Sequence, residues 1–330
     1  MGSSAPTPSL VAPEFAAVFR AHADSNGRMT FARFMALALY DPTLGYYARD
    51  RQRVGYAPGT DFYTASTSGP VFGELIAAAC RKLLGARDPK DYEFVEIGAE
   101  TESGVLAGIT HGFRRARTVR VGTPIQLKDR CVVFSNELFD AQPFRRFVRR
   151  GNFWRELGVE LAGGSLSECE FPPADAPPIP FTAPDGYIID APLAASSLMD
   201  EIAAQPWSGL FVACDYGKSW DEIALATPHG TARAYHRHTQ SNDLLARPGE
   251  QDLTCHVCWD WLVGRLEANR FKTPVTESQE AFFVRHATDY IAATSTADAA
   301  RFSQRKLALA QLLHPSHLGQ KFQVLHALRE

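Results

Sequence analysis

Apolar residues along this chain recur in two rhythms, and the switches between them outline its elements. Helical spacing runs from Pro13 to Ala23 and again from Thr30 to Tyr40. In the second stretch Phe31, Phe34, Met35 and Ala38 share one face, with Thr30 placed as the N-cap. Asp41-Pro42-Thr43-Leu44-Gly45-Tyr46-Tyr47 then ends the helix with a proline and a glycine turn. A further amphipathic helix is predicted over Val71 to Leu84, closed by Gly85. Tyr92 to Ile97 reads as a strand. Cys131 to Phe134 and Gly209 to Cys214 are unbroken apolar runs, as strands covered on both faces must be. Strand patterns also cover Arg145 to Arg149, Phe153 to Leu161, Thr231 to His236, Asp252 to Trp259 and Lys321 to His326. Helices are predicted over Leu193 to Ala204, Trp259 to Asn269, Glu280 to Ala293 and Ala297 to Leu312. Residues 1–12 read as a disordered lead, and the Pro- and acid-rich stretch from Glu168 to Pro184 as an exposed insertion.

Three of the strands end in polar clusters: Glu96-Ile97-Gly98, Asn136-Glu137 with Asp140, and Asp215-Tyr216-Gly217. Open α/β sheets bind ligands at the carboxyl edge of their strands, so three such ends describe a site. Taken alone, Asn136-Glu137 reads equally well as a helix N-cap with an acid in the first turn. After Glu96 the chain runs Ile97-Gly98-Ala99-Glu100-Thr101-Glu102-Ser103-Gly104, with a helix expected from Val105. Strand, glycine turn and helix make a nucleotide-type cradle. It is not the dinucleotide fingerprint, and Glu100 and Glu102 suit a cationic ligand or an amine better than a pyrophosphate. Between Gly112 and Arg130 lie only about 18 residues, whereas a single crossover already takes a dozen or more. Only one strand fits, Thr118 to Val121, so one β-α unit is expected to be missing. The Gly-, Ser- and Thr-rich loop from Val54 to Pro70 carries Asp61, and ordered loops of that length are usually functional.

Composition narrows the choices. A chain of 330 residues can form one large α/β domain with additions or two small domains. The net charge of -3 argues against a dedicated nucleic-acid binder. Of the two basic patches, Arg114-Arg115-Ala116-Arg117 and Arg145-Arg146-Phe147-Val148-Arg149-Arg150, the second has arginine on both faces and reads as a solvated edge strand. No apolar run approaches the ~18 residues of a membrane span. Met1-Gly2-Ser3-Ser4-Ala5-Pro6 has neither a basic start nor an apolar core, so a cytosolic location is expected. Six cysteines in so long a chain make no disulfide framework. Cys255-His256-Val257-Cys258 looks metal-like, but a strand over Asp252 to Trp259 would place its thiols on opposite faces, with no second pair to complete a site. No metal is therefore expected. A Ser/His/Asp pattern and a Walker lysine motif are also missing from the strand-end clusters.

These residues resemble a known family. Asp41 to Tyr47, Gly59-Thr60-Asp61-Phe62-Tyr63-Thr64, Phe72-Gly73-Glu74 and Glu96-Ile97-Gly98 carry part of the likeness. Ser135-Asn136-Glu137-Leu138-Phe139-Asp140-Ala141-Gln142-Pro143, Asp215-Tyr216-Gly217 and Pro248-Gly249-Glu250-Gln251-Asp252-Leu253-Thr254-Cys255-His256-Val257 carry the rest. In order and spacing they are similar to the MidA-like methyltransferases, relatives of a mitochondrial complex I assembly factor, over about Phe31 to His326. The resemblance implies an α/β fold built on the Rossmann-like, seven-stranded sheet of class I S-adenosylmethionine-dependent methyltransferases. Here that sheet is expected to be shortened by one β-α unit, with added N-terminal helices and an inserted β segment. Residues 1–72 would form the helices and a site-covering loop, and residues 73–330 the core, with the insertion at about 145–185.

The implied function is methyl transfer from S-adenosylmethionine to a protein side chain such as arginine, with neither nucleic acid nor membrane as partner. Glu96 would hold the methionine portion through water or backbone, with Gly98, Ala99, Gly104 and Asn136 around the cofactor and Asp61 and Thr64 closing over it. Asn136 and Glu137, with Asp140, would take the acceptor nitrogen, the carboxylate pairing with a guanidinium. His256 would accept a proton if the acceptor were an oxygen. Two departures from the family stand out. Its Glu-x-Gly-x-Gly-x-Gly loop retains only Gly98 and Gly104, with Ala99 and Glu102 intervening, and the strand that carries the ribose-binding acid is expected to be deleted. They motivate an alternative: a non-catalytic assembly factor or binding protein that keeps the fold.

Overall fold

The computed structural model describes residues 10–49, 53, 60–61, 69–173, 183–297 and 303–330. The chain opens with α1 (Pro13–His22), β1 (Arg28–Thr30) and α2 (Phe31–Tyr40). Thr30 caps α2 as expected, its side chain accepting the Arg33 N–H at 3.4 Å. Then come α3 (Pro70–Leu84), β2 (Glu93–Ile97), β3 (Arg115–Val119) and β4 (Asp129–Asn136). A run of strands follows: β5 (Arg145–Arg150), β6 (Phe153–Ala162), β7 (Ser165–Phe171) and β8 (Ile188–Ala191). The middle of the chain adds α4 (Leu193–Ala203), β9 (Trp207–Asp215), β10 (Gly217–Lys218) and α5 (Trp220–Ala226). Short strands β11 (Arg233–His236), β12 (Thr239–Ser241), β13 (Asp252–Thr254) and β14 (Val257–Cys258) lead to α6 (Trp259–Ala268). Last are β15 (Lys272–Ser278), α7 (Gln279–His286), α8 (Thr288–Ala297), α9 (Gln304–Leu313) and β16 (Gln323–Arg329).

These elements divide between two compact units. One is drawn from Gln52–Asp140, Ser196–Lys218 and Val257–Glu330. Among its described residues, six strands form one sheet in the order β15-β16-β9-β4-β2-β3. The strands β9, β4, β2 and β3 are parallel, while β16 runs antiparallel to β9 and β15 to β16. The apolar runs fill the core: Phe134, Leu210 and Val212 are fully buried against Phe72, Leu75 and Ile76 of α3. From β3 the chain passes directly to β4 on the other side of β2, so the sheet is one strand short of seven, as the spacing predicts. The strand beside β2 is nevertheless present. What is missing is an acid at its end, where the chain reads Arg120-Val121-Gly122-Thr123.

Two local expectations in this unit are corrected. No helix starts at Val105; residues 101–111 form turns, because Gly104 and Gly108 both take positive φ. The helix predicted over Glu280 to Ala293 breaks at Ala287 into α7 and α8. Strand β15 was not legible because Lys272, Thr273, Pro274, Thr276 and Glu277 leave it nearly without apolar residues. Its position at the sheet edge tolerates both the polarity and the proline.

The other unit is drawn from Met1–Arg51, Ala141–Ala195 and Ser219–His256. It holds an antiparallel sheet of order β1-β6-β5-β8, with β7 also on β6, and a small sheet of order β12-β11-β13. Strand β5 is therefore interior, and the solvated-edge reading of its arginines is wrong. Arg146 and Arg149 are buried at 6% exposure because each charge meets a partner or a ring. Arg145 makes a bidentate pair with Glu156 at 2.8 and 2.6 Å. Arg146 Nε lies 2.9 Å from Asp190 Oδ1 and its guanidinium sits over the Phe31 ring, while Arg149 sits over Trp154. The insertion predicted from Glu168 also begins later, since residues 168–171 belong to β7 and pair with β6. Nor is Asp252 to Trp259 one strand: β13 pairs with β11 and β14 with β10, with Cys255 and His256 in the break. Among the described residues no helix is long and apolar enough to cross a membrane.

Candidate functional site

The sheet register brings the polar strand ends together. Ile97 lies opposite Ser135, Ser135 opposite Ala213, and Asn136 opposite Cys214, so β2, β4 and β9 end level with one another. Glu96, Gly98, Ala99, Asn136, Glu137, Asp140 and Asp215 thus meet along one edge of the core sheet. Periodicity could locate each strand end, but only the register could align them.

At the end of β2, Gly98 takes φ +80° and donates its N–H to the Val119 carbonyl at 2.8 Å, tying the turn to β3. That φ favours glycine whatever the space, and a Cβ here would also press on the Leu138 side chain, 2.8 Å from its Cδ1. Ala99 follows, buried. Glu96 does not project freely toward a ligand: its Oε2 accepts the Val105 N–H at 2.6 Å and lies directly over Gly104. Burial pushes this carboxyl up to about 7, against the opposing bond from Val105. Its structural effect is to fold the glycine loop back onto β2. Gly104 is needed because a Cβ there would strike the Glu96 carboxylate and come within 2.7 Å of the Thr118 methyl. The acids that seemed suited to a cation lie elsewhere, with Glu100 at 3.3 Å from Arg53 and Glu102 almost fully exposed.

At the end of β4, Asn136 Nδ2 donates to Glu137 Oε1 at 3.0 Å. A carboxylate only accepts, so this bond fixes the amide with its nitrogen toward Glu137 and its oxygen away. That oxygen, Asn136 Oδ1, is buried and has no hydrogen-bond partner among the described residues; the same is true of Ser135 Oγ. Glu137 takes φ +52°, a left-handed conformation uncommon for a residue with a side chain. Its N–H donates to the Cys214 carbonyl at 2.9 Å, which locks the turn to β9.

The residue that holds this turn is Asp215, which the sequence marked as a polar strand end without assigning it a role. Fully buried, its Oδ2 accepts the N–H groups of Leu138, Phe139 and Asp140 at 3.2, 2.8 and 3.4 Å, and its Oδ1 that of Tyr216 at 2.8 Å. Burial pushes its carboxyl up to about 7 against those four bonds. Asn136-Glu137 is therefore a tight turn pinned by a buried acid, and the reading of Asn136 as a helix cap does not hold. Asp140 is buried beside that acid.

The remaining predicted residues are placed as follows. Asp61 is fully buried in the core-sheet unit and donates its N–H to the Arg53 carbonyl at 2.7 Å. Thr64 lies outside the described residues. His256 belongs to the other unit, where its N–H donates to Thr231 Oγ1 at 3.1 Å. In that unit two of the family-like blocks meet, as the Tyr47 hydroxyl, from Asp41–Tyr47, donates to Asp252 Oδ1, from Pro248–Val257, at 3.0 Å.

An electrophile-carrying nucleoside cofactor fits this edge on two counts. The Gly98–Ala99 turn brings bare backbone to the rim, and Asn136 Oδ1 is an orphaned acceptor where a ligand amine or amide donor would bind.

Comparison with known proteins agrees. Residues 115–275 match the family model described as "Putative S-adenosyl-L-methionine-dependent methyltransferase". The chain is 24% identical, over 92% of its own length and 84% of the relative's, to the mitochondrial protein arginine methyltransferase NDUFAF7 of Danio rerio. It is 22% identical to NDUFAF7 of Rattus norvegicus, over 90% and 80% of the two chains. Its fold is that of a Burkholderia thailandensis protein solved with S-adenosyl-homocysteine, at a TM-score of 0.82 and 24% identity over 98% and 95% of the two chains. Sheet order, strand-end cluster and relatives all point the same way: the chain is similar to the MidA-like family of S-adenosylmethionine-dependent methyltransferases.

Proposed function

We propose that this chain methylates a nitrogen of a protein side chain, with arginine as the acceptor. The observation that carries the reading is the β4 end, where an orphaned acceptor, Asn136 Oδ1, and a carboxylate, Glu137, lie beside the glycine turn of β2. Gly98, Ala99 and Asn136 would hold S-adenosylmethionine, which when bound supplies a methyl group on a cationic sulfur. Methyl transfer of this kind asks the protein mainly for positioning. Glu137 suits a guanidinium because a carboxylate can accept two parallel N–H bonds, fixing the plane of the acceptor and offsetting its charge. Asp215 keeps Glu137 in place through the backbone of the turn, so it acts as a positioning residue. The names of the vertebrate relatives, protein arginine methyltransferases, support arginine as the acceptor.

One observation favours a second reading, a binding protein that keeps the fold. The end of β3, where a ribose-gripping acid is usual, carries Arg120-Val121-Gly122-Thr123. Calorimetric titration of the full chain with S-adenosylmethionine and S-adenosylhomocysteine separates the two. Micromolar binding that weakens in Asn136→Ala and Gly98→Arg is expected. A folded protein that takes up neither compound overturns methyl transfer and favours the binding protein. Glu137→Gln should keep cofactor binding while losing most methylation of arginine-containing protein, and unchanged turnover would remove Glu137 from its role.

A further inference from the structure

The C-terminal antiparallel pair carries a second cluster of chemistry, separate from the strand-end residues. In its register Val275 lies opposite His326 and Glu277 opposite Val324. Glu277 of β15 and His326 of β16 are therefore diagonal neighbours on one face of the sheet. Ser278 then caps α7, its side chain accepting the Ala281 N–H at 3.2 Å, and the last residue of that helix, His286, returns to the same place. Glu277 Oε1 lies 3.2 Å from His286 Nε2 and 3.1 Å from His326 Nε2, and the three side chains each bring one potential ligand atom within 4.8 Å of the others. We propose that Glu277, His286 and His326 form a site for a divalent transition-metal ion, zinc being the best match.

The geometry suits such an ion. Metal–ligand bonds of about 2.0–2.2 Å at tetrahedral angles leave ligand atoms roughly 3.3–3.5 Å apart, close to the two Glu277–His separations. All three side chains are largely withdrawn from water, at 8%, 14% and 10% exposure for Glu277, His286 and His326. The Phe282 ring flanks both imidazoles, with centroids 5.3 and 5.6 Å away.

Without a metal, both imidazoles must donate to one carboxylate oxygen while Arg285 Nη1 takes the other at 2.7 Å. A single metal ion replaces the two competing N–H groups and leaves Arg285 to orient the carboxylate, the outer support that metal ligands usually have. Neutral imidazole is the ligating form. Three protein ligands leave one coordination position open to solvent or a small anion. The ligands lie nine and forty residues apart in sequence, a spacing with no motif, which is why sequence reading placed no metal in this chain.

The test uses the full, tag-free chain, stripped with a chelator and titrated with zinc and, as a spectroscopic probe, cobalt(II). One equivalent bound per chain, visible cobalt absorption bands and an unfolding midpoint raised by several degrees are expected. Glu277→Gln keeps the size and one oxygen while removing the charge, and should weaken binding more than about tenfold. His326→Gln should do the same. A metal-free unfolding midpoint close to that of the stripped parent chain shows that a variant is folded; should one variant unfold, the other decides. The proposal is overturned by saturable binding that neither folded variant weakens, by loss of the metal in Cys255→Ser or Cys258→Ser instead, or by no stoichiometric uptake.

Discussion

Replacing Gly73 by alanine tests whether the glycine loop is pressed into shape by α3. Glycine inside a helix normally costs about 1 kcal/mol relative to alanine, so propensity alone predicts a gain of stability. The structure predicts the reverse. A Cβ on Gly73 would overlap the Val105 carbonyl and approach Ile109 Cδ1 to 3.3 Å. A carbonyl oxygen cannot rotate away, and α3 cannot retreat because Phe72, Leu75 and Ile76 beside Gly73 are fully buried. Overpacking costs about 1–3 kcal/mol, and an overlap with backbone belongs at the upper end, so after the propensity gain of about 1 kcal/mol a net loss of roughly 1–2 kcal/mol remains. The displaced segment also carries the Val105 N–H away from Glu96, so affinity for S-adenosylhomocysteine should fall with stability. Gly264 in α6 is the control: nothing lies within 4 Å of the point a Cβ would occupy there, and Gly264→Ala should gain about 0.5–1 kcal/mol. Equilibrium urea unfolding followed by far-UV circular dichroism, with calorimetric titration of each variant, measures both effects. A Gly73→Ala protein as stable as its parent, or a destabilised Gly264→Ala, would refute the packing argument.

Other perturbations probe the electrostatics and the helix start. The Glu96 carboxyl is raised by burial from its ordinary 4.5 to about 7, so its contribution to stability is present below about pH 4.5 and lost as pH rises through about 7. Glu96→Gln removes that linkage and should flatten the fall of stability across this window by up to about 1.4 kcal/mol per pH unit, read from urea midpoints at several pH values. Asp215 is raised in the same direction, so the slope should shrink and not vanish. Arg146→Met strands the buried Asp190 carboxylate, whose Oδ2 accepts the Thr231 and Ala232 N–H groups at 2.6 and 2.7 Å. A loss of about 3–5 kcal/mol is expected in the same assay, and a neutral result would show that the pair adds nothing. Thr30→Ala should cost about 1 kcal/mol through its N-cap bond, and Thr30→Ser should restore most of it.

Legibility tracked how local each feature is. The strands β2, β4 and β9 could be read because a strand buried on both faces must be apolar, and the missing β-α unit because chain length caps what can fit. Strand β15 was hidden because an edge strand need not be apolar, and the Val105 helix was mistaken because Gly104 and Gly108, on either side of its expected first turn, take positive φ. The arginines of β5 were misread for a related reason. Charge on both faces of a strand looks solvated unless the acids that neutralise it are known, and Glu156 and Asp190 lie on other strands.

By itself, then, the sequence determined which strands end in polar groups and which helices are capped, since these depend on residue type and short-range spacing, and its motifs carried the resemblance to a methyltransferase family. Only the tertiary structure decided what those polar groups do. Glu96 folds a loop, Asp215 pins a turn seventy-odd residues away, and Glu277 meets two histidines. Each is a desolvated charge whose energy depends on partners that register and packing supply, and no spacing along the chain encodes them.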